Sequence, residues 1–199
     1  LGGDDDARSQ CDDMVRRKQD AILKKIDFLE GRVVGLHLGH HVWDFATGTN
    51  SDQWLCQALK APYLGWMAST RLTLDLPQNT GQTSGMAYTI VSMHGTGNSR
   101  FSTTDARWLE ANIVPSFVAN QYVRGHGCKC VAWEPFERQQ VRRKGDAGLE
   151  KSRVRCMTVG GFHKGYTNGW ATSYVEQAGF SPQPRTWGAV RFRLTQNKA

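Results

Sequence analysis

Apolar and polar positions alternate along this chain with two periods, and the switches between them outline the elements. Residues 12–30 follow the helical period: Met14, Val15, Ile22, Ile26 and Leu29 share one face, opposite Arg, Lys and Asp. Asp12 or Asp13 can cap the start of such a helix, and Gly31 stands just past its end. Val33 to Leu38 then reads as a short buried strand, and Ser51 to Leu59 as a second helix that stops ahead of Pro62. From Leu72 to Ser92 the pattern turns to β. Arg71–Leu76 alternates as a half-buried strand, Pro77–Gly85 is a polar, hairpin-like connection, and Met86–Met93 is the next strand. Helix signals span Thr104–Val118, and a strand runs on through Gln121-Tyr122-Val123 to His126. Lys129–Phe136 and Arg153–Gly160 read as an antiparallel pair around a basic turn, and Ala189–Leu194 as a final strand. Strands first interleaved with helices, then paired among themselves, predict an α/β sandwich in one domain over residues 1–199.

Three of these strands end in a loop that joins histidine to glycine: Gly39-His40-His41, His94-Gly95 and Gly125-His126-Gly127-Cys128. A fourth loop, Gly2-Gly3-Asp4-Asp5-Asp6, opens the chain with carboxylates. Imidazoles and a carboxylate at the carboxyl ends of successive strands are the donor set of a catalytic metal site on an α/β sheet. Each histidine taken alone has a plainer reading, a ring satisfied by backbone hydrogen bonds at a strand end. For His94 and His126 the ordered combination with Gly3-Asp4 favours ligation, while His40-His41 reads equally as a polar loop. His37 and His163 have no place in the pattern and read as structural.

Composition narrows the picture. Hydrophobic residues make up 39% of the 199 and charged residues 22%, ordinary for a globular chain. No apolar run approaches the ~20 residues needed to cross a bilayer. No leader peptide is visible and the first residue is not Met, so the expectation is a chain that begins after processing or as a fragment. Five cysteines without regular spacing argue against a secreted disulfide framework and for a reduced, cytoplasmic setting. Net charge is +7 and the pI about 9.3, with basic residues gathered between Arg124 and Arg155. A phosphate-rich partner such as nucleic acid is one explanation, and a solvated hairpin with charged tips is the other. The seven tryptophans are scattered, which suits packing better than a base-stacking platform.

In their order, the loops resemble the signature of the calcineurin-like metallophosphoesterase superfamily, in its phage and bacterial type. That signature runs Asp-x-His, Gly-Asp, Gly-Asn-His-Asp/Glu, a lone His often followed by Gly, and Gly-His-x-His. Gly3-Asp4 matches the second element, Gly39-His40-His41-Val42 approximates the third, His94-Gly95 matches the fourth and Gly125-His126-Gly127-Cys128 approximates the fifth. The tail, with Gly161-Phe162-His163-Lys164-Gly165-Tyr166 and Ser173-Tyr174, is similar to the segment after the last motif in phage members.

The resemblance implies an α/β sandwich with mixed sheets flanked by helices, truncated at its N-terminus, and a site for one or two divalent ions (Mn, Fe or Zn). Asp4 would bridge the ions, with His40, His94, His126 and Cys128 as further metal ligands, and His41 would be the catalytic histidine at the leaving group. Asn98 and Arg100 could present donors to a substrate phosphate. The implied activity is hydrolysis of a phosphodiester, nucleic acid included, by a metal-activated hydroxide. The sequence also departs from the signature. Asp-x-His is absent, His40 stands for Asn, Cys128 for the last His, and Val42 for the acidic residue. The competing expectation is a degenerate member acting as a basic nucleic-acid-binding or assembly protein; a third is a single structural ion pinning the loops.

Overall fold

A computed structural model of the chain describes residues 3–77, 83–96, 102–127, 129–141, 149–160 and 174–177, with Arg191 and Arg193. The elements fall into two compact units, Leu1–Ala68 and Ser69–Ala199. They are mixed α/β: helices with a five-stranded sheet and two two-stranded sheets, and no barrel among the described residues. Among the described residues, no helix is long and apolar enough to cross a membrane.

The first unit opens on helix α1 (Gly3–Ile26), extended by a 3-10 turn at Asp27–Leu29. The carboxylates of Asp4, Asp5 and Asp6 therefore lie in the first turn of a helix and not in a strand-end loop. Negative charge there meets the unsatisfied N–H groups of the helix start, which favours helix over loop. The burial of α1 also differs from its apolar pattern. Met14 and Ile22 are 49% and 51% exposed, while Asp12 and Gln19, one heptad apart, are buried. Polar anchors set the rotation of this helix. Asp12 accepts the Trp43 indole N–H at 2.7 Å and the Ala46 amide at 3.1 Å, and Gln19 donates to the Ser51 carbonyl.

Strand β1 is only Leu36–His37, shorter than the predicted Val33–Leu38, and pairs in parallel with β2 (Tyr63–Gly65). Helix α2 (Ser51–Ala58) lies between them in the chain, as the sequence pattern predicts. It starts where it does because Asn50 and Gln53 form a reciprocal capping box, each side chain taking the other's backbone N–H.

The second unit is built on β3 (Met67–Pro77), β4 (Thr83–Met93), β5 (Gln121–Gly127), β6 (Val131–Trp133) and β9 (Arg155–Gly160), in the order β3-β4-β5-β9-β6. Both β4 with β5 and β5 with β9 are parallel, and β6 closes the edge antiparallel to β9. A separate antiparallel pair joins β7 (Glu137–Val141) to β8 (Leu149–Arg153). Helix α3 (Ser102–Asn112) lies in the crossover between β4 and β5, the kind of connection that a parallel pair requires. It ends short of the predicted Val118 because Pro115 cannot continue the helical hydrogen bonds. A one-turn helix, α4, occupies Tyr174–Gln177. Of the predicted Ala189–Leu194 strand, only Arg191 and Arg193 fall within the described residues.

The core of this unit joins Val91 and Met93 of β4, Leu109 of α3 with Ile113 just past its end, Tyr122 of β5 and Cys156 of β9. Tyr122 is fully buried, and its hydroxyl is satisfied by the Phe117 carbonyl, the Ala119 amide and Arg138. That hydroxyl pins the segment between α3 and β5, and with it the start of the strand that carries His126.

Candidate metal centre

His94 comes directly after the last residue of β4, and His126 is the penultimate residue of β5. Because the two strands are adjacent and parallel, with Met93 opposite Arg124, their carboxyl ends emerge together. The backbones then approach unusually closely. Gly95 has φ +84°, and a Cβ there would come within 2.7 Å of the Gly125 carbonyl oxygen; a Cβ on Gly125 would meet the His94 carbonyl oxygen at 3.0 Å. At Gly95 only glycine fits, and at Gly125 a side chain would be tight, which gives physical content to the glycines beside His94 and His126.

His126 is one of two non-glycine residues with positive φ among those described, at +54°. The ladder between β5 and β9 shifts register between Arg124 and Gly127, so that β5 carries one residue more than its neighbour. Such a bulge re-aims a side chain at a strand end. The left-handed backbone is a local cost of the kind that clusters at functional positions. The His94 and His126 rings consequently lie with centroids 5.1 Å apart, tilted by 43°, and a ring nitrogen of each lies within 4.8 Å of one on the other.

The spacing suits ligation. For a metal–nitrogen bond of about 2.1 Å the ring centroid lies about 3.2 Å from the ion, and two such rings at a tetrahedral angle have centroids about 5.2 Å apart. The observed pair fits that separation. Both rings are half-buried, so a ligand there is partly sheltered from water while remaining reachable.

Beneath the two loops lies a buried ion pair that the sequence pattern did not single out. Arg124 of β5 donates to the Asp105 carboxylate of α3 at 2.8 Å, with side-chain exposures of 5% and 9%. The same guanidinium donates to the Thr96 carbonyl and lies over the Trp108 ring at 4.8 Å. Burial raises the Asp105 carboxyl above its ordinary range, while the charge and hydrogen bond of Arg124 pull it back. The signal available in the sequence was a single charged residue inside a strand that reads as buried, Tyr122-Val123-Arg124.

In the first unit, Asp4 is exposed on the first turn of α1. His40 and His41 are exposed on the loop after β1, with ring centroids 3.8 Å apart. The Gly39 amide donates to the Asp52 carboxylate at 2.7 Å and ties that loop to α2. Loss of hydration, and then the neighbouring His41, hold His40 below the usual imidazole range. His37, read as structural, has Nδ1 3.0 Å from the Gly65 carbonyl oxygen. Cys128, Asn98, Arg100 and His163 lie outside the described residues.

Most of the described basic residues between Arg124 and Arg155 are engaged within the fold. Arg124 is buried, and Arg138 donates to the Val114 carbonyl and to Tyr122. Lys151 pairs with Glu137, Arg153 with Glu134 and Glu137, and Arg155 with Glu134. Arg142, Arg143 and Lys144 lie outside the described residues. The described charges therefore fit a salt-bridged hairpin better than an open phosphate-binding surface.

No protein-family model matches the chain, and none of the curated proteins or solved structures compared with it matches either.

Proposed function

We propose that the chain is a metal-dependent phosphoesterase of the calcineurin-like type, hydrolysing a phosphodiester, with its second unit organised as one sheet of that family's sandwich. The observation that carries the proposal is the His94–His126 pair: two imidazoles from glycine-bounded loops, at the ends of adjacent parallel strands, 5.1 Å apart. The left-handed backbone at His126 supports the same reading, since such local strain clusters at functional positions.

In this reading His94 and His126 act as neutral imidazole ligands, a donor set suited to Zn²⁺, Mn²⁺ or Fe. A divalent ion held there would supply Lewis-acid polarisation of a phosphoryl oxygen and a water acidified to near-neutral pH. From the resemblance come three further assignments: Asp4 and His40 as ligands, and His41 as the proton donor to the leaving oxygen. Cys128 is assigned from the same resemblance as a ligand, while Asn98 and Arg100 are assigned as phosphate donors from their place in the chain just after the His94 loop. The exposed position of His41 leaves it accessible to a substrate.

The departures from the signature support a second reading, a single structural ion without turnover. The test is hydrolysis of bis(p-nitrophenyl) phosphate with added Mn²⁺ by protein purified without chelator. The proposal expects turnover that chelation abolishes and that both His94→Ala and His41→Ala reduce by at least about a hundredfold. Bound metal with no turnover would overturn it in favour of the structural ion, and neither metal nor turnover would leave the basic binding protein.

A further inference from the structure

Arg124 is 4% exposed, inside the strand that leads to His126, and its Nε is buried with no hydrogen-bond partner among the described residues. Buried ion pairs seldom stabilise a fold more than apolar residues of the same shape would, and an unsatisfied buried donor adds to the cost. What this guanidinium does is join its own strand to two other segments, helix α3 and the turn after β4. Nη1 holds Asp105 of α3, and Nη2 holds the Thr96 carbonyl, one residue beyond His94-Gly95. The body of the side chain lies directly under Gly95, where a Cβ would come within 2.9 Å of Arg124 Cγ and Nε. The His94 turn is thus laid over the side chain of one strand-β5 residue, two positions before His126.

We infer that Arg124 and Asp105 are positioning residues, a buried clamp that fixes the His94 turn against β5 so that the two imidazoles are held at ligating distance. A planar fork with donors in two directions can do this, whereas a lysine or an apolar side chain cannot. Arg124 does not itself reach an ion or substrate; it acts through the turn. The metal arm of the test rests on the proposed function, while the ring-contact arm does not.

Two variants separate positioning from general support. Arg124→Met/Asp105→Leu replaces the pair with apolar side chains of similar volume, and Arg124→Lys keeps the charge beside Asp105 but gives up the second direction. Three quantities are measured on the full chain: the melting temperature, the NOE between the His94 and His126 ring protons, and Zn²⁺ affinity by calorimetry. The clamp predicts that both variants melt cooperatively, lose the inter-ring NOE, and bind Zn²⁺ about 10–100-fold more weakly, the usual effect of removing an outer-shell partner. A folded variant with the NOE and the affinity both unchanged would overturn the inference. If the double variant fails to fold, Arg124→Lys decides by the same criteria. If the parent protein binds no Zn²⁺, the proposed function fails, and the NOE alone still decides whether the clamp positions the rings.

Discussion

Glycine and histidine share the chemistry of the two loops unequally. In the proposed metal centre His94 and His126 would supply the donors, while Gly95 and Gly125 set how closely the two loops approach. At Gly95, φ is +84° and the space a Cβ would need is taken by a carbonyl oxygen and by Arg124. Gly95→Ala is therefore expected to destabilise the second unit by about 1–3 kcal/mol, from left-handed strain and from pushing the loops apart. Thermal melts would measure it; an unchanged melting temperature would mean the loops can separate freely. The cysteines offer a second check at this scale. Burial pushes the Cys156 thiol up to about 12, with Glu110 adding to the shift, and burial likewise raises Cys56. Since the thiolate is the reactive form, neither should be alkylated by iodoacetamide at about pH 8 until the chain is unfolded. Mass spectrometry of the labelled, native protein would show it, and rapid native labelling of Cys156 would contradict its burial.

Among the elements, the β4–α3–β5 unit matters most, because it brings His94 and His126 to one end of the sheet. Its helix is held by Leu109, which is fully buried in the shared core. Leu109→Ala should cost about 2–5 kcal/mol of stability in chemical denaturation, and a loss below about 1 kcal/mol would mean that α3 is not packed as described. This unit was also the most legible part of the sequence. Short buried-strand runs, the helical stretch between them and the Gly-His punctuation placed β4, α3 and β5 in order, with the starts of all three within a few residues. The ends were harder, since Pro115 cut the helix earlier than its apolar periodicity suggested. Helix α1 was legible as a helix but not in its orientation. Its apolar stripe predicted one buried face, whereas Asp12 and Gln19 anchor another through hydrogen bonds to residues more than thirty positions away. Hydrophobic pattern does not encode such partners. The same limit hid the Arg124–Asp105 pair, because only the fold brings those positions together.

Across the whole molecule, the charge balance is less informative than it first looks. A net charge of +7 left a phosphate-rich partner as one explanation, yet Lys151, Arg153 and Arg155 pair with Glu134 and Glu137, and Arg138 is engaged by the Val114 carbonyl and Tyr122. Exposed pairs of this kind contribute little to stability, and they offset part of the positive charge that would draw a nucleic acid. The strand-end histidines, and not the basic surface, therefore carry the functional reading. Its most direct test is the stoichiometry of Zn²⁺ or Mn²⁺ binding by calorimetry, on the full chain and on His94→Ala and His126→Ala. A metal centre built on these two rings predicts at least one ion per chain for the parent and loss of that ion in each variant, with the melting temperature of the metal-free proteins unchanged. Binding that survives both substitutions, or no binding in the parent, would contradict it.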